Sequence, residues 1–277
     1  MKFWKMNGAG NDFIIIDNRV EKISHDKLPQ VAKTLCERHL SIGADGFMVV
    51  EASAKADYRM IFFNSDGSVG EMCGNGARCI ARYGYENKLA GDVQRVETDS
   101  GVVVGHRIEK RLYKVRLNNV TLLERRDLDV DGKLYECTYV ELGMPGLPHA
   151  VVPIDGLVDY PHDKLFELGR KMRYHKAFPK GANVNFYEIV EKDHVTVRTW
   201  ERGVEDFTFA CGTGSGSVAT VLTLAGKASG RNVKIDMPGG QLIIDVERTG
   251  EHIDNLYLTG PTNIVCKGEV TDEELSI

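Results

Sequence analysis

The pattern of apolar and polar positions along the chain points first to short strands. Residues 13–17, 47–51 and 58–63 are brief apolar runs, and residues 102–108, 112–117 and 133–141 alternate or nearly so. The second half repeats the signal at 183–190, 194–200, 233–237, 241–246 and 256–259. Within 194–200, Val195, Val197 and Thr199 share one face and Thr196, Arg198 and Trp200 the other, the period of a half-buried strand. Ser65-Asp66-Gly67, Asp131-Gly132 and Pro238-Gly239-Gly240 are turn signals between short strands, which favours hairpins over long crossovers.

Helical spacing is rarer. Residues 26–39 place Leu28, Val31, Leu35 and His39 on one face, with Ser24 near enough to cap the start. Residues 75–88 carry Ala77, Ile80, Ala81 and Gly84 at helical spacing; residues 163–173 form a third candidate. A fourth, 215–227, has Val218, Val221, Leu222 and Ala225 on one stripe.

Two of these helices open alike. Met72-Cys73-Gly74-Asn75-Gly76-Ala77-Arg78 leads into one, and Ala210-Cys211-Gly212-Thr213-Gly214-Ser215-Gly216 into the other, almost half the chain later. A repeated Cys-Gly-x-Gly at that spacing reads as a duplicated unit, with the boundary expected near residues 118–120.

Composition narrows the class without naming it. The 277 residues are 42% hydrophobic and 27% charged, ordinary globular usage that excludes disorder as the default. The net charge of −5 and the lack of any run of five basic residues argue against a nucleic-acid partner. No stretch reaches 18 consecutive apolar residues, so no membrane span is expected, and the first residues lack a signal-peptide pattern. The six cysteines are scattered and no Cys-x-x-Cys or His pair completes a zinc site, so no metal is expected. A reducing cytoplasmic setting follows.

A cysteine at a helix start sits beside backbone N–H groups with no in-helix partner and at the positive end of the helix dipole. That setting favours thiolate, the reactive form, and the same N–H groups suit a carboxylate or phosphate. Inverting an α-carbon takes a base on one face and an acid on the other, and two such cysteines supply both. Cys36, Cys79, Cys137 and Cys266 lack that context and read as small buried hydrophobes. Gly212–Gly216 before a helix is also a weak dinucleotide fingerprint. A Cys–His hydrolase using His149 with Cys73 or Cys211 is another class open at this point.

The whole chain resembles the diaminopimelate epimerase family of racemases, which work without pyridoxal phosphate. The matching stretches begin with 5–13 (Lys-Met-Asn-Gly-Ala-Gly-Asn-Asp-Phe), Gly43-Ala44-Asp45-Gly46, Phe63-Asn64-Ser65-Asp66-Gly67-Ser68 and Cys73-Gly74-Asn75-Gly76-Ala77-Arg78. Pro148-His149, Phe178-Pro179, Asn183-Val184-Asn185-Phe186, Glu201-Arg202-Gly203 and Cys211-Gly212-Thr213-Gly214 follow in family order. The resemblance implies an α/β fold of α+β type with two pseudo-symmetric domains, each a mostly antiparallel, barrel-like sheet around a central helix. Residues 1–119, joined by a C-terminal strand at 263–277, would form one domain and 120–262 the other. It implies that Cys73 and Cys211 are the acid/base pair. Asn11, Asn64, Gly74, Asn75, Asn183, Glu201, Arg202, Gly212 and Thr213 would contact the substrate, and His149 and Glu201 would modulate the thiols. No cofactor is implied; the partners are a small amino-acid substrate and a second copy in a homodimer.

The chain departs from the family's usual pattern in three places. Gly46 stands where the family often has Gln, Leu147 where it commonly has Asn, and the stretch 204–209 between Gly203 and Ala210 is about one residue longer. Gly46 would remove a polar contact at the reacting end and Leu147 one at the distal amino acid. The expected reaction is interconversion of LL- and meso-2,6-diaminopimelate, with a racemase for another amino acid, such as histidine, as the alternative.

Overall fold

A computed structural model describes residues 1–70 and 73–271. The chain divides into two units, Met1–Val115 rejoined by the chain from Gly260, and Arg116–Thr259. The division falls ahead of residues 118–120. Leu117 N–H already bonds to the Leu256 carbonyl at 2.8 Å, and Gly143 N–H to the Asn119 carbonyl at 2.8 Å, both within the second unit.

The first unit contains β1 (Lys2–Gly8), β2 (Asn11–Asp17), α1 (Asn18–Glu21), α2 (Leu28–Cys36), β3 (Gly46–Glu51) and β4 (Tyr58–Asn64). It continues with α3 (Gly74–Glu86), β5 (Val93–Thr98), β6 (Gly101–Arg107) and β7 (Leu112–Arg116). The second contains β8 (Val120–Arg125), β9 (Leu128–Val130), β10 (Lys133–Tyr135), β11 (Thr138–Leu142), β12 (Leu147–Pro153) and α4 (His162–Arg173). After these come β13 (Asn183–Glu191), β14 (His194–Glu201), β15 (Asp206–Thr208), α5 (Gly212–Leu224), β16 (Val233–Met237), β17 (Gly240–Thr249) and β18 (His252–Pro261). The last strand, β19 (Asn263–Glu269), returns to the first unit and pairs with β1. The expected strand at 263–277 therefore ends at Glu269, and its residues 272–277 lie outside the described part.

Strand order across the first unit is β19-β1-β2-β3-β4-β5-β6-β7. Successive pairs are antiparallel, antiparallel, parallel, antiparallel, parallel, antiparallel and antiparallel. Across the second unit, β8-β11-β12-β13-β14-β16-β17-β18 pair with the same senses in the same order. Parallel neighbours need a crossover, and here each crossover carries a helix. α2 joins β2 to β3 as α4 joins β12 to β13; α3 joins β4 to β5 as α5 joins β14 to β16. The class is α+β, mostly sheet with few helices.

Burial explains the apolar runs. In β2, β3 and β4, Phe13, Ile15, Met48, Val50, Met60 and Phe62 face the core around α3, while Ile14, Ile16, Phe47, Val49, Ile61 and Phe63 pack toward α2. Strands covered on both faces lose their alternation. Residues 75–84 of α3 are buried without a break, so that helix lies inside its unit against β1, β2, β5 and β6. α5 is likewise enclosed by β11, β12, β13 and β17.

Three local expectations change. α2 begins at Leu28 with Pro29 in its first turn and no side-chain cap, so Ser24 does not cap it. It stops at Cys36 because Glu37 is extended and His39 takes a positive φ of 74°. The run 133–141 splits, because β10 pairs with β9 in a separate hairpin while β11 joins the main sheet.

Candidate active site

The two Cys-Gly-x-Gly segments fold alike, each cysteine capping a helix. Cys73 is the N-cap of α3 (φ −95°, ψ 155°) and its Sγ accepts a hydrogen bond from Gly76 N–H at 3.3 Å. Cys211 is the N-cap of α5 (φ −124°, ψ 107°) and its Sγ accepts from Gly214 N–H, also at 3.3 Å. Each sulfur thus occupies the capping place usually taken by a Ser or Asp oxygen, where a negative charge is favoured. The N–H groups at Gly74 and Asn75, and at Gly212 and Thr213, belong to the first helical turn and have no in-helix carbonyl to bond. Cys73 is exposed, whereas Cys211 is 7% exposed.

Around α3 the support is polar and charged. β1 ends in Gly8 because a Cβ there would meet the Asn75 carbonyl oxygen at 2.8 Å and Cys79 Sγ at 3.0 Å. Asn75 is buried, and its Nδ2 donates to Asn11 Oδ1 at 2.5 Å. Asn11 Nδ2 donates in turn to Asp45 Oδ2 at 3.1 Å. Arg38 bridges Asp45 and Asp12 at 2.8 Å each, and Lys5 meets Asp12 at 2.8 Å. Burial opposes ionisation of Asp12, but hydrogen bonds from Lys5 and Arg38 outweigh it and hold the carboxyl below its usual range. Beneath the helix start, Arg78 is fully buried; Nη1 donates to the Gly74 carbonyl at 3.2 Å and Nη2 to Asn75 Oδ1 at 2.9 Å. Burial pulls its guanidinium down to about 10. Asn64 ends β4, where its Nδ2 donates to Ser68 Oγ at 2.9 Å across the Asp66-Gly67 turn.

Around α5 several of the supporting groups are uncharged. Ser215 Oγ donates to the Cys211 carbonyl at 2.9 Å, and Cys211 N–H meets Met237 Sδ at 3.4 Å. His149 on β12 is fully buried and stands beside Asn183 in the parallel register with β13. Burial, with a smaller contribution from the Arg202 charge, pushes its imidazole down to about 3, so it is neutral at physiological pH. Asn183 Oδ1 accepts from Arg202 N–H at 2.7 Å, and Arg202 Nη1 donates to the Lys180 carbonyl at 3.2 Å. Glu201 closes β14 opposite Asp206. Asn11, Cys73, Gly74 and Asn75 therefore gather at one helix start of the first unit, with Asn64 at the end of a strand. His149, Asn183 and Arg202 are neighbours in the second, where Cys211, Gly212 and Thr213 open α5.

The sequence model of the family described as Diaminopimelate epimerase matches residues 3–122 and 142–265. The chain belongs to the diaminopimelate epimerase family. It is 39% identical over 286 residues to the diaminopimelate epimerase of Aquifex aeolicus (strain VF5), covering 99% of each chain. To that of Methanothrix thermoacetophila it is 37% identical, covering 99% of this chain and 98% of the relative. Among solved structures, a PhzF-family phenazine biosynthesis protein of Bacillus anthracis superposes with a TM-score of 0.74 at 16% identity, covering 98% of each chain. A probable proline racemase of Agrobacterium radiobacter K84 gives 0.69 at 15%, covering 99% and 95%. At such identities these two show the fold alone.

Two departures from the family pattern acquire physical reasons. A Cβ at Gly46 would lie 2.3 Å from Phe62 Cε2, so the ring of Phe62 occupies the room a side chain there would need. Leu147 opens β12 opposite Leu142, a cross-strand apolar pair. The glycines of the dinucleotide-like run instead face protein: Cβ atoms at Gly212, Gly214 and Gly216 would meet Leu258, Asn185 and Leu256. Cys266, expected as a buried hydrophobe, is exposed on β19, while Cys36, Cys79 and Cys137 are buried. Among the described residues no cluster of His, Cys, Asp or Glu could hold a metal, and no helix is long and apolar enough to cross a membrane.

Sequence reasoning passed over Arg78, Asn185 and Thr199. An arginine between alanine and cysteine in a small-residue helix is the one sequence signal that could have found Arg78; the two others are polar residues in strands that read as ordinary alternation.

Proposed function

We propose that the protein is an isomerase interconverting LL- and meso-2,6-diaminopimelate in lysine and peptidoglycan precursor synthesis. The observation that carries this reading is the matched pair of cysteine-capped helix starts in a chain of the diaminopimelate epimerase family.

Cys73 and Cys211 act as the acid/base pair on one α-carbon. The thiolate takes the α-proton and becomes a thiol. The electron pair left on carbon delocalises into the substrate carboxylate, and the other cysteine's proton is delivered to the opposite face. In the return direction the two exchange roles. N–H groups at Gly74, Asn75, Gly212 and Thr213 receive the carboxylate, whose oxygens gain charge as the proton leaves. Asn11, Asn64, Asn183, Glu201 and Arg202 hold the rest of the substrate. The guanidinium of Arg202 matches a carboxylate with two parallel bonds, and Glu201 suits an ammonium. His149 and Glu201 modulate the thiols. The chemistry is that of the chain's own residues, without a cofactor, in the cytoplasm, where thiols stay reduced; a homodimer is the assembly assigned to it.

Incubation in heavy water with each candidate amino acid tests this reading. Deuterium enters the α-position of diaminopimelate and not of histidine, and Cys73→Ala and Cys211→Ala each lower epimerisation by about 10²–10⁴-fold. Label in another amino acid alone would refute the substrate. Dependence on only one cysteine, with a burst of acylated enzyme, would refute the mechanism in favour of a hydrolase.

A further inference from the structure

His149 has two ring nitrogens with different surroundings. Nδ1 lies 3.2 Å from Asn185 Nδ2, and Nε2 is buried with no hydrogen-bond partner among the described residues. Asn185, on β13, is itself fully buried. Its Nδ2 also faces the carbonyls of Ala150 at 3.2 Å and Asn183 at 3.4 Å, so its two hydrogens are shared among three acceptors, and its Oδ1 accepts from Thr199 Oγ1 at 3.0 Å. The amide cannot be turned over, because its oxygen would then face two carbonyl oxygens. Gly214 pins the same group from α5: a Cβ there would lie 2.1 Å from Asn185 Oδ1.

The nitrogen facing His149 Nδ1 is therefore an amide NH2, which donates and does not accept. A proton on Nδ1 would set two donors against each other at 3.2 Å. The single proton of the neutral ring must sit on Nε2, the buried atom without a partner. We propose that Asn185 is a positioning residue that fixes His149 as the neutral Nε2–H tautomer. His149 then offers the site a hydrogen-bond donor and cannot take a proton at that nitrogen. What the donor serves rests on the epimerase reading: a carboxylate oxygen or a sulfur would complete the orphaned N–H. The tautomer itself does not rest on that reading. Gly214 N–H bonds to Cys211 Sγ, so the close approach of Asn185 Oδ1 to Gly214 sets the partner of the imidazole beside the start of α5.

Nitrogen-15 NMR of the histidine-labelled full-length protein at neutral pH tests this, with the His149 signals assigned by their loss in His149→Gln. The wild-type protein is expected to show a protonated Nε2 and an unprotonated Nδ1. Nδ1–H or imidazolium in the wild-type spectrum would overturn the proposal without need of a variant. In Asn185→Asp a carboxylate faces Nδ1, and the proton is expected to move there; a spectrum unchanged from wild type would also overturn it. Loss of the orienting partner should lower kcat for epimerisation by about 10–100-fold, as for other groups that orient a functional imidazole. A wild-type protein that shows the Nε2–H ring yet epimerises nothing would refute the proposed function and leave the tautomer standing.

Discussion

At the scale of single residues, the neutrality of His149 has a measurable price in acid. Its imidazole titrates at an ordinary 6.5 when unfolded and at about 3 in the fold, because burial disfavours the cation. Between those two values the unfolded chain binds the extra proton, so stability rises with pH through that window and is fully present above 6.5. The slope from this group alone approaches about 1.4 kcal/mol per pH unit. Urea unfolding of His149→Gln at a series of pH values should show a flatter acid limb than wild type; equal slopes would mean the ring is solvated. Cys73 and Cys211, the two cysteines proposed as the acid/base pair, were legible in the sequence because glycine context and repetition set them apart from four others. Asn185 was not, although it stands inside a quoted motif: nothing local says that a strand asparagine faces an imidazole on the neighbouring parallel strand. What fills the space beside Gly46 was equally illegible, since Phe62 comes from the next strand.

Elements were legible where one physical cause dominated. The doubly covered strands β2, β3 and β4 announce themselves as unbroken apolar runs, and the four longer helices by spacing and small residues. β1 was missed because Lys5 and Asn7 interrupt it, yet Lys5 is buried there through its pairing with Asp12. β12 was hidden by Pro148, His149 and Pro153, a strand whose polar member meets Asn185 from the neighbouring strand through Nδ1. β1 fits closely against the start of α3. Gly8→Ala would drive a methyl group into the Asn75 carbonyl and Cys79 Sγ, and neither can move without shifting the turn that carries Cys73. Overpacking of this kind costs about 1–3 kcal/mol. The expected result is a lower urea midpoint together with a fall in kcat larger than that of a surface glycine such as Gly91, where an added Cβ would meet nothing within 4 Å. Equal effects at the two positions would mean that α3 retreats at no cost.

Over the whole molecule, the duplication suspected from one tetrapeptide extends to the seven successive pairings of each unit's main strand order, though not to the β9–β10 hairpin or to β15, and no periodicity could have revealed that shared order. The copies nevertheless differ in what supports the sulfur. α3 has a buried guanidinium and an exposed cysteine, whereas α5 has hydroxyl groups, a neutral imidazole and a nearly buried cysteine. The difference predicts an order of modification across all six thiols. Alkylation requires both thiolate and access. Burial pushes the thiols of Cys36, Cys79 and Cys137 up to about 12, so in the native protein they hold almost no thiolate and no path for reagent. Cys73 and Cys266 are exposed and Cys211 is not. A short iodoacetamide pulse at neutral pH, read by peptide mass spectrometry, should label Cys73 and Cys266 first, Cys211 later, and the remaining three only after unfolding. Diaminopimelate should then slow labelling at Cys73 and leave Cys266 unchanged, since only the former sits at a helix start proposed to hold the substrate. Equal protection at both would indicate general tightening of the first unit, and labelling of Cys79 as fast as Cys266 would mean that α3 is not enclosed by its sheet.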